Sequence, residues 1–226
     1  MSGFERFVFT FFNADIALQY WPDILKGMGI TASVGIAVSV TGVVLGLALA
    51  VLRAVRRPWL SVPIVIFADV MRSLPPLVVI IIFFFAFPLI DLPMSSFTAV
   101  WLSLSLVLAA FAEECIWGGI QAVPPGQAEA ARSTGLSWWQ TMLWVTLPQA
   151  LRMVVPPLTN RVISITKNTA LGSVVALNEI LNNAQSASSN AGNPTPLTLG
   201  ALAYLAIFIP VILLARRIET RWHWRT

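Results

Sequence analysis

Residues 27–57 read GMGITASVGIAVSVTGVVLGLALAVLRAVRR. Between Lys26 and Arg53 there is no charge, and the run is longer than the roughly 20 residues an α-helix needs to cross a bilayer. Arg53, Arg56 and Arg57 follow at once. Short loops rich in Arg and Lys stay in the cytoplasm, so this first span should leave the N-terminus outside. The rest of the composition agrees. Of 226 residues, 57% are hydrophobic and 11% charged, with a mean hydropathy of +0.80, whereas a soluble domain keeps roughly a quarter of its residues charged. Nine Trp and 13 Phe suit aromatic belts at membrane interfaces. The pI is near 10.0, but most of the excess positive charge flanks apolar segments, a pattern of membrane topology and not of a nucleic-acid patch. Cys115 stands alone, which excludes an internal disulfide or a cysteine metal cluster and leaves packing as its role.

Working outward, further uncharged runs at 73–90, 92–112 and 197–215 are each long enough to cross. Asp91 and Pro93 form a hinge outside between the second and third. Arg216, Arg217, Arg221 and Arg225 then mark a cytoplasmic tail, in which His223 is exposed with no metal role. Four spans from an outside N-terminus would return that tail to the outside, so a fifth must be hidden. The segment 141–165 is the candidate, interrupted by Arg152 and Arg161 and followed by Lys167; charged residues at membrane depth face a bundle interior or a cavity. The expected fold is all-α and transmembrane, with five helices in one domain, 1–226. Residues 1–25, with Glu5, Asp15 and Asp23 among Phe4, Phe7, Phe9, Phe11, Phe12, Tyr20 and Trp21, do not read as a cleaved leader and suit an interfacial segment. Residues 181–196, rich in Asn, Ser, Ala and Gly, read as an outer loop. Pro75-Pro76 and Pro156-Pro157 each follow an arginine inside apolar sequence. They fit broken helices at a transport site as well as ordinary kinks.

The segment 121–140 is polar enough to leave the membrane on the cytoplasmic side. Pro124 and Pro125 open a short helix, Gly135 can end it, and Ser137 with Gln140 forms a capping box for the next. Within it, Glu129-Ala130-Ala131, Gly135 and, nine residues on, Val145-Thr146-Leu147-Pro148 resemble the EAA motif of ABC importer permeases, with Val in place of Ile. Arg72-Ser73-Leu74-Pro75, 113–120 and Lys167-Asn168-Thr169-Ala170-Leu171 resemble stretches of the polar amino acid subfamily, the relatives of histidine, glutamine, arginine and glutamate permeases. Glu113, Cys115, Trp117, Asn168 and Ala170 depart from the usual residues there.

The resemblance implies a type I ABC importer permease fold in the bacterial inner membrane, multi-pass, with the C-terminus in the cytoplasm. It implies two ABC ATPase subunits docked on the EAA helices, a second permease, identical or paralogous, and an extracytoplasmic binding protein that delivers an amino acid. No Gly-Lys dipeptide, and so no P-loop, occurs in the chain; ATP and Mg²⁺ would be bound by the ATPase partner, and this chain would be neither an enzyme nor a holder of a cofactor or metal. Glu129, Ala130, Ala131, Gly135, Leu147 and Pro148 are the candidate ATPase-coupling residues. Arg72, whose planar fork suits carboxylates, is the candidate for the substrate carboxylate, against the alternative of pairing with Asp69 or lipid phosphate. Asn160, Lys167, Asn168 and Thr169 are candidate pathway residues, or else helix-to-helix partners. Glu113 and Glu114 should pair with Arg132, Arg152 or a neighbouring helix, and Glu179 should be solvated near the outer end of the fourth segment. A proton-coupled carrier, using the membrane carboxylates for coupling, and a membrane scaffold that only recruits a partner are the competing classes.

Overall fold

The computed structural model describes residues 2–222, with side chains through Arg217; His223 and Arg225 of the basic tail lie outside the described residues. Ten α-helices carry the chain: α1 Gly3–Phe11, α2 Ala14–Arg53, α3 Pro58–Ser73, α4 Pro76–Ile81, α5 Ser96–Ala122, α6 Pro125–Ser133, α7 Trp138–Thr141, α8 Leu147–Lys167, α9 Ile180–Ala191 and α10 Thr195–Trp222. π-turns at Ile82–Ala86 and Met142–Thr146 and 3₁₀ segments at Phe87–Ile90 and Asn168–Val175 join some of them. Three helices are long and apolar enough to cross a membrane, Gly3–Arg53, Ser96–Ala122 and Thr195–Arg217, and a fourth crossing is possible if the bent pair Pro58–Ser73 and Pro76–Ile90 counts as one.

The uncharged run at 73–90 supplies only the second arm of that bent pair, with the break at the Pro75-Pro76 pair. The two arms meet at 104°. Leu74, ahead of Pro75, takes extended angles (φ −86, ψ 134), as a residue before proline must when its α conformation clashes with the proline ring. From Ser96 on, the third uncharged run lies within a longer helix. This helix, α5, extends from Ser96 to Ala122 and carries Glu113 and Glu114. The expected outer loop at 181–196 is largely helical: α9 fills Ile180–Ala191, with Ile180, Ala184 and Ala187 buried along one face. Pro156-Pro157 lies inside a continuous α8. A proline there removes the hydrogen bond to the carbonyl four residues back, which at this pair frees the carbonyls of Arg152 and Met153.

The helices contribute to two compact units, each discontinuous in sequence. The first comprises 1–37, 76–104 and 166–213. Its core is Ile24, Ile180, Ala184 and Ala203, with Met28, Leu199, Tyr204 and Ile207 around them. At Gly27 an added Cβ would stand 2.9 Å from Ile180 N, so this turn of α2 touches the start of α9 backbone to backbone. Helix α1 begins with a capping box between Ser2 and Glu5. Its end is pinned by Asn193 Nδ2 donating to Phe9 O (3.2 Å), Thr195 Oγ1 donating to Thr10 O (3.3 Å) and Asn13 N donating to Thr195 Oγ1 (3.1 Å). Phe4, Phe7, Phe9, Phe11 and Phe12 stay exposed.

The second unit comprises 38–75, 105–165 and 214–226. Ala50, Ile116, Ile120, Met142, Leu147, Ala150 and Val154 form its core, and Cys115 packs against them as expected. Small residues set the helix spacing. A Cβ on Gly46 of α2 would lie 2.5 Å from Ala112 Cβ of α5, and one on Gly119 of α5 would lie 2.4 Å from Val154 Cγ1 of α8. Between helices bathed in lipid the hydrophobic effect contributes little, and close van der Waals contact across small residues takes its place.

Candidate functional site

The polar loop after α5 is built by local rules. Pro124 precedes α6 and Pro125 opens it, where a missing N–H costs nothing. Thr134 closes it, with Thr134 Oγ1 donating to Ala131 O (2.7 Å) and Gly135 N to Arg132 O (3.0 Å). Gly135 itself sits at φ +93, a conformation open to glycine without a Cβ penalty. The capping box expected at Ser137 is present: Gln140 N donates to Ser137 Oγ (3.3 Å) and Ser137 N donates to Gln140 Oε1 (2.8 Å). Helix α7 then passes through a π-turn into α8.

This arrangement sorts the motif into an outward and an inward set. Glu129, Ala130, Gly135 and Pro148 are exposed and Ala131 is half-buried, while Leu147 is part of the core. Trp138 packs on that core, edge-on to the exposed Trp139 at 4.7 Å. Beside the loop is a cleft of about 340 Å³, walled by Trp117, Ile120, Val123, Trp138 and Met142, with Glu129 and Arg132 among its lining residues. Among the described residues neither Glu129 nor Arg132 forms an ion pair. Thr141 Oγ1, which also lines the cleft, is buried without a hydrogen-bond partner. Among the described residues no group of three or more metal-ligating side chains occurs.

The same unit holds a set of ion pairs. Glu113, 0% exposed, receives Arg53 Nη1 on both oxygens at 3.0 and 3.3 Å. The Arg53 guanidinium also lies over Trp117, 4.6 Å from the ring centre. The adjacent Glu114 pairs with Arg72, whose Nη2 also donates to Asp69 Oδ1 at 2.6 Å. Both glutamates thus pair with neighbouring helices, the option kept open from sequence. Arg72 has the Asp69 contact foreseen as the alternative to substrate binding. Arg161 lies over Phe111 at 4.8 Å, and Asn160 is exposed.

Lys167, Asn168 and Thr169 belong to the other unit. Lys167 Nζ lies 5.9 Å from the centre of the Phe208 ring, Asn168 is half-buried, and Thr169 is fully buried with an unpartnered Oγ1. Glu179 in this unit is a correction: expected to be solvated, it is 0% exposed. It caps α9, accepting from Leu181 N (2.9 Å) and Asn182 N (2.7 Å), and accepts from Tyr204 Oη at 2.5 Å. Burial pushes its carboxyl above the usual glutamate value, and the bonds from Tyr204, Leu181 and Asn182 offset this in part. The capping role was missed, although an acid directly before a helix of Asn, Ser and Ala is an N-cap signal.

A sequence model of the family described as "Binding-protein-dependent transport system inner membrane component" matches residues 42–224, the EAA stretch included. The chain is 34% identical over 197 residues to the "Probable amino-acid ABC transporter permease protein YckA" of Bacillus subtilis (strain 168), covering 87% of each. It is 38% identical over 180 residues to the "Probable glutamine ABC transporter permease protein GlnP" of the same organism, covering 78% of this chain and 83% of that one. In three dimensions it is similar to a chain of a solved amino acid ABC transporter crystallised with histidines: TM-score 0.81, 27% identity, 90% of this chain and 96% of that one. With a multi-pass helical fold and an EAA loop in place, the chain belongs to the family of binding-protein-dependent transport system inner membrane components, the permeases of ABC transporters.

Proposed function

We propose that this chain is the membrane-spanning subunit of a bacterial inner-membrane importer that moves amino acids handed over by an extracytoplasmic binding protein. Two ATPase subunits would drive it and a second permease, identical or paralogous, would complete the pathway. Five crossings are proposed: α2, the bent α3–α4 pair, α5, α8 and α10, with the N-terminus outside and the C-terminus in the cytoplasm. Helix α1, with its exposed phenylalanines, would lie along the outer interface. The observation that carries the reading is the outward set of the EAA loop, with Glu129 unpaired in front of a glycine joint. Such a carboxylate is available to a basic group on an ATPase, while Leu147 ties the far end of the loop to the core.

Reconstitution in proteoliposomes with the partner ATPase and binding protein tests it. Uptake of labelled glutamine, histidine or another amino acid should require ATP, stop with vanadate and ignore an uncoupler. Uptake that instead collapses with the uncoupler would identify a proton-coupled carrier. Glu129→Ala should leave folding unchanged and lower ATP-driven uptake about tenfold, equivalent to about 1.4 kcal/mol of lost coupling; unchanged uptake would remove Glu129 from the docking role. Arg72, Asn160, Lys167, Asn168 and Thr169 are proposed for the substrate pathway. Arg72 would have to exchange Asp69 or Glu114 for the substrate carboxylate. Intact transport and intact substrate-stimulated ATPase activity in Arg72→Ala would refute that role.

A further inference from the structure

The elbow between α2 and α3 carries Arg53, Arg56 and Arg57, and only the first has a carboxylate. Arg53 uses Nη1 for both bonds to Glu113. Arg56 and Arg57 form no side-chain hydrogen bond or ion pair among the described residues. Arg56 also stands at φ +57, in the left-handed region that glycine enters at no steric cost. An unpaired arginine in a strained position invites a question about what it faces. It lines the coupling-loop cleft with Glu129 and Arg132, with no ion pair to Glu129, and on its other side an open cleft of about 470 Å³ together with Arg53, Ser61, Val65, Trp117 and Gln121. The lining of this second cleft contains two guanidinium groups, an amide, a hydroxyl and an indole, and no carboxylate.

Helix α3, which contributes Ser61 and Val65 to this cleft, also carries an apolar face. Trp59, Val62, Ile66 and Val70 of α3 are exposed, and their spacing of three, four and four residues puts them on one side of the helix. A cationic mouth and an apolar strip on the same helix match one kind of molecule better than a soluble anion or an acidic peptide: an anion with a hydrocarbon tail. We propose that the α2–α3 elbow is a binding site for an anionic phospholipid. Arg56 and Arg53 would donate to the phosphate oxygens, Gln121 would be in reach of the glycerol headgroup, and an acyl chain would lie along Trp59, Val62 and Ile66. Guanidinium donors suit phosphate because they make paired, charge-assisted bonds, and basic pockets between helices on the cytoplasmic side are where such headgroups bind. The inference rests on the reading of the chain as a membrane permease with this elbow on the cytoplasmic side.

The test is native mass spectrometry of the permease–ATPase complex released from phosphatidylcholine nanodiscs with and without phosphatidylglycerol. Wild type should retain phosphatidylglycerol selectively. Arg56→Gly removes the cation while relieving the backbone, and it should weaken retention about fivefold, the equivalent of about 1 kcal/mol per arginine at an anionic surface. Arg57→Ala, outside the cleft lining, should retain as much as wild type. Equal retention by wild type and Arg56→Gly would overturn the site. An equal loss in both variants would also overturn it, in favour of diffuse surface charge. Inorganic phosphate in pure phosphatidylcholine discs should not raise the melting temperature. A rise matching that given by phosphatidylglycerol would make the ligand a free anion and the proposal wrong. Retention is read without transport, so the site and the transport reading fail separately.

Discussion

Replacing Gly46 by alanine should separate α2 from α5 in the second unit, and the size of the effect follows from what the new methyl group meets. Its Cβ would stand 2.5 Å from Ala112 Cβ, 2.8 Å from Ala109 O and 3.0 Å from Glu113 N. Two of those three atoms are backbone, so no rotamer change relieves the overlap and the helices themselves must move. Overpacking of this kind costs about 1–3 kcal/mol. Gly118 of α5 is the internal control, since nothing lies within 4 Å of a Cβ added there. Both substitutions gain alanine's helix propensity, about 1 kcal/mol over glycine. The gain cancels in a comparison of the two, and their difference of about 1–3 kcal/mol isolates the contact. A further loss is expected because Arg53, seven residues along α2 from Gly46, must still reach Glu113 (3.0 Å). The double variant Gly46→Ala with Ala112→Gly should recover part of the loss and no more, because the Ala109 carbonyl and the Glu113 amide remain. Thermal unfolding of the purified subunit in micelles, followed by circular dichroism, is the assay. Equal stability of Gly46→Ala and Gly118→Ala would refute the close approach of the two helices.

Three other outcomes follow from sites already described. Glu113→Ala leaves Arg53 without its carboxylate next to a buried position and should destabilise the subunit by about 3 kcal/mol, seen as a lowered unfolding temperature; a loss below that of an ordinary surface substitution would contradict the pairing. Glu179 has its carboxyl raised by burial, so the folded state binds its proton more tightly than the unfolded state does. Stability should therefore be fullest below the usual glutamate range and decline as pH rises through the raised value, and Glu179→Gln should flatten that part of a stability–pH curve. Gly135→Ala forces a Cβ into φ +93 at a cost of about 1–3 kcal/mol; co-purification with the ATPase should fall while the melting temperature of the rest of the subunit changes little.

Sequence legibility tracked how local each cause was. The boundaries of α6 and α7 could be read because Pro125, Gly135, Ser137 and Gln140 act on the backbone within a few residues of themselves. The bend at Leu74 and Pro75 could not be read from hydropathy, since an uncharged run scores the same straight or folded through 104°. Glu113 could be placed near the inner end of the third span, but its pairing could not be read, since its partner Arg53 is 60 residues away. Glu179 and α9 failed together. Asn, Ser and Ala suggested a loop, but Ile180, Ala184 and Ala187 share a buried face, and Tyr204, 25 residues on, completes the burial of the cap. Of the candidate site, the EAA residues fall on one loop because they are close in sequence, whereas the pathway residues are divided between two units, a grouping no linear spacing announces.

The π-turn at Met142–Thr146 gives the EAA motif a property that its letters do not express. A π-turn stores one surplus residue relative to an α-helix. It lies inside the stretch separating Gly135 from Pro148, so the count of residues between them is a setting of phase. Deleting one residue from 142–146 would let the turn relax to α geometry with few hydrogen bonds lost. A second deletion would find no surplus to take up and would rotate α8 by about 100° relative to α7, turning Leu147, Ala150 and Val154 away from the core they fill. In this part of the chain, length is under the same physical constraint as residue identity.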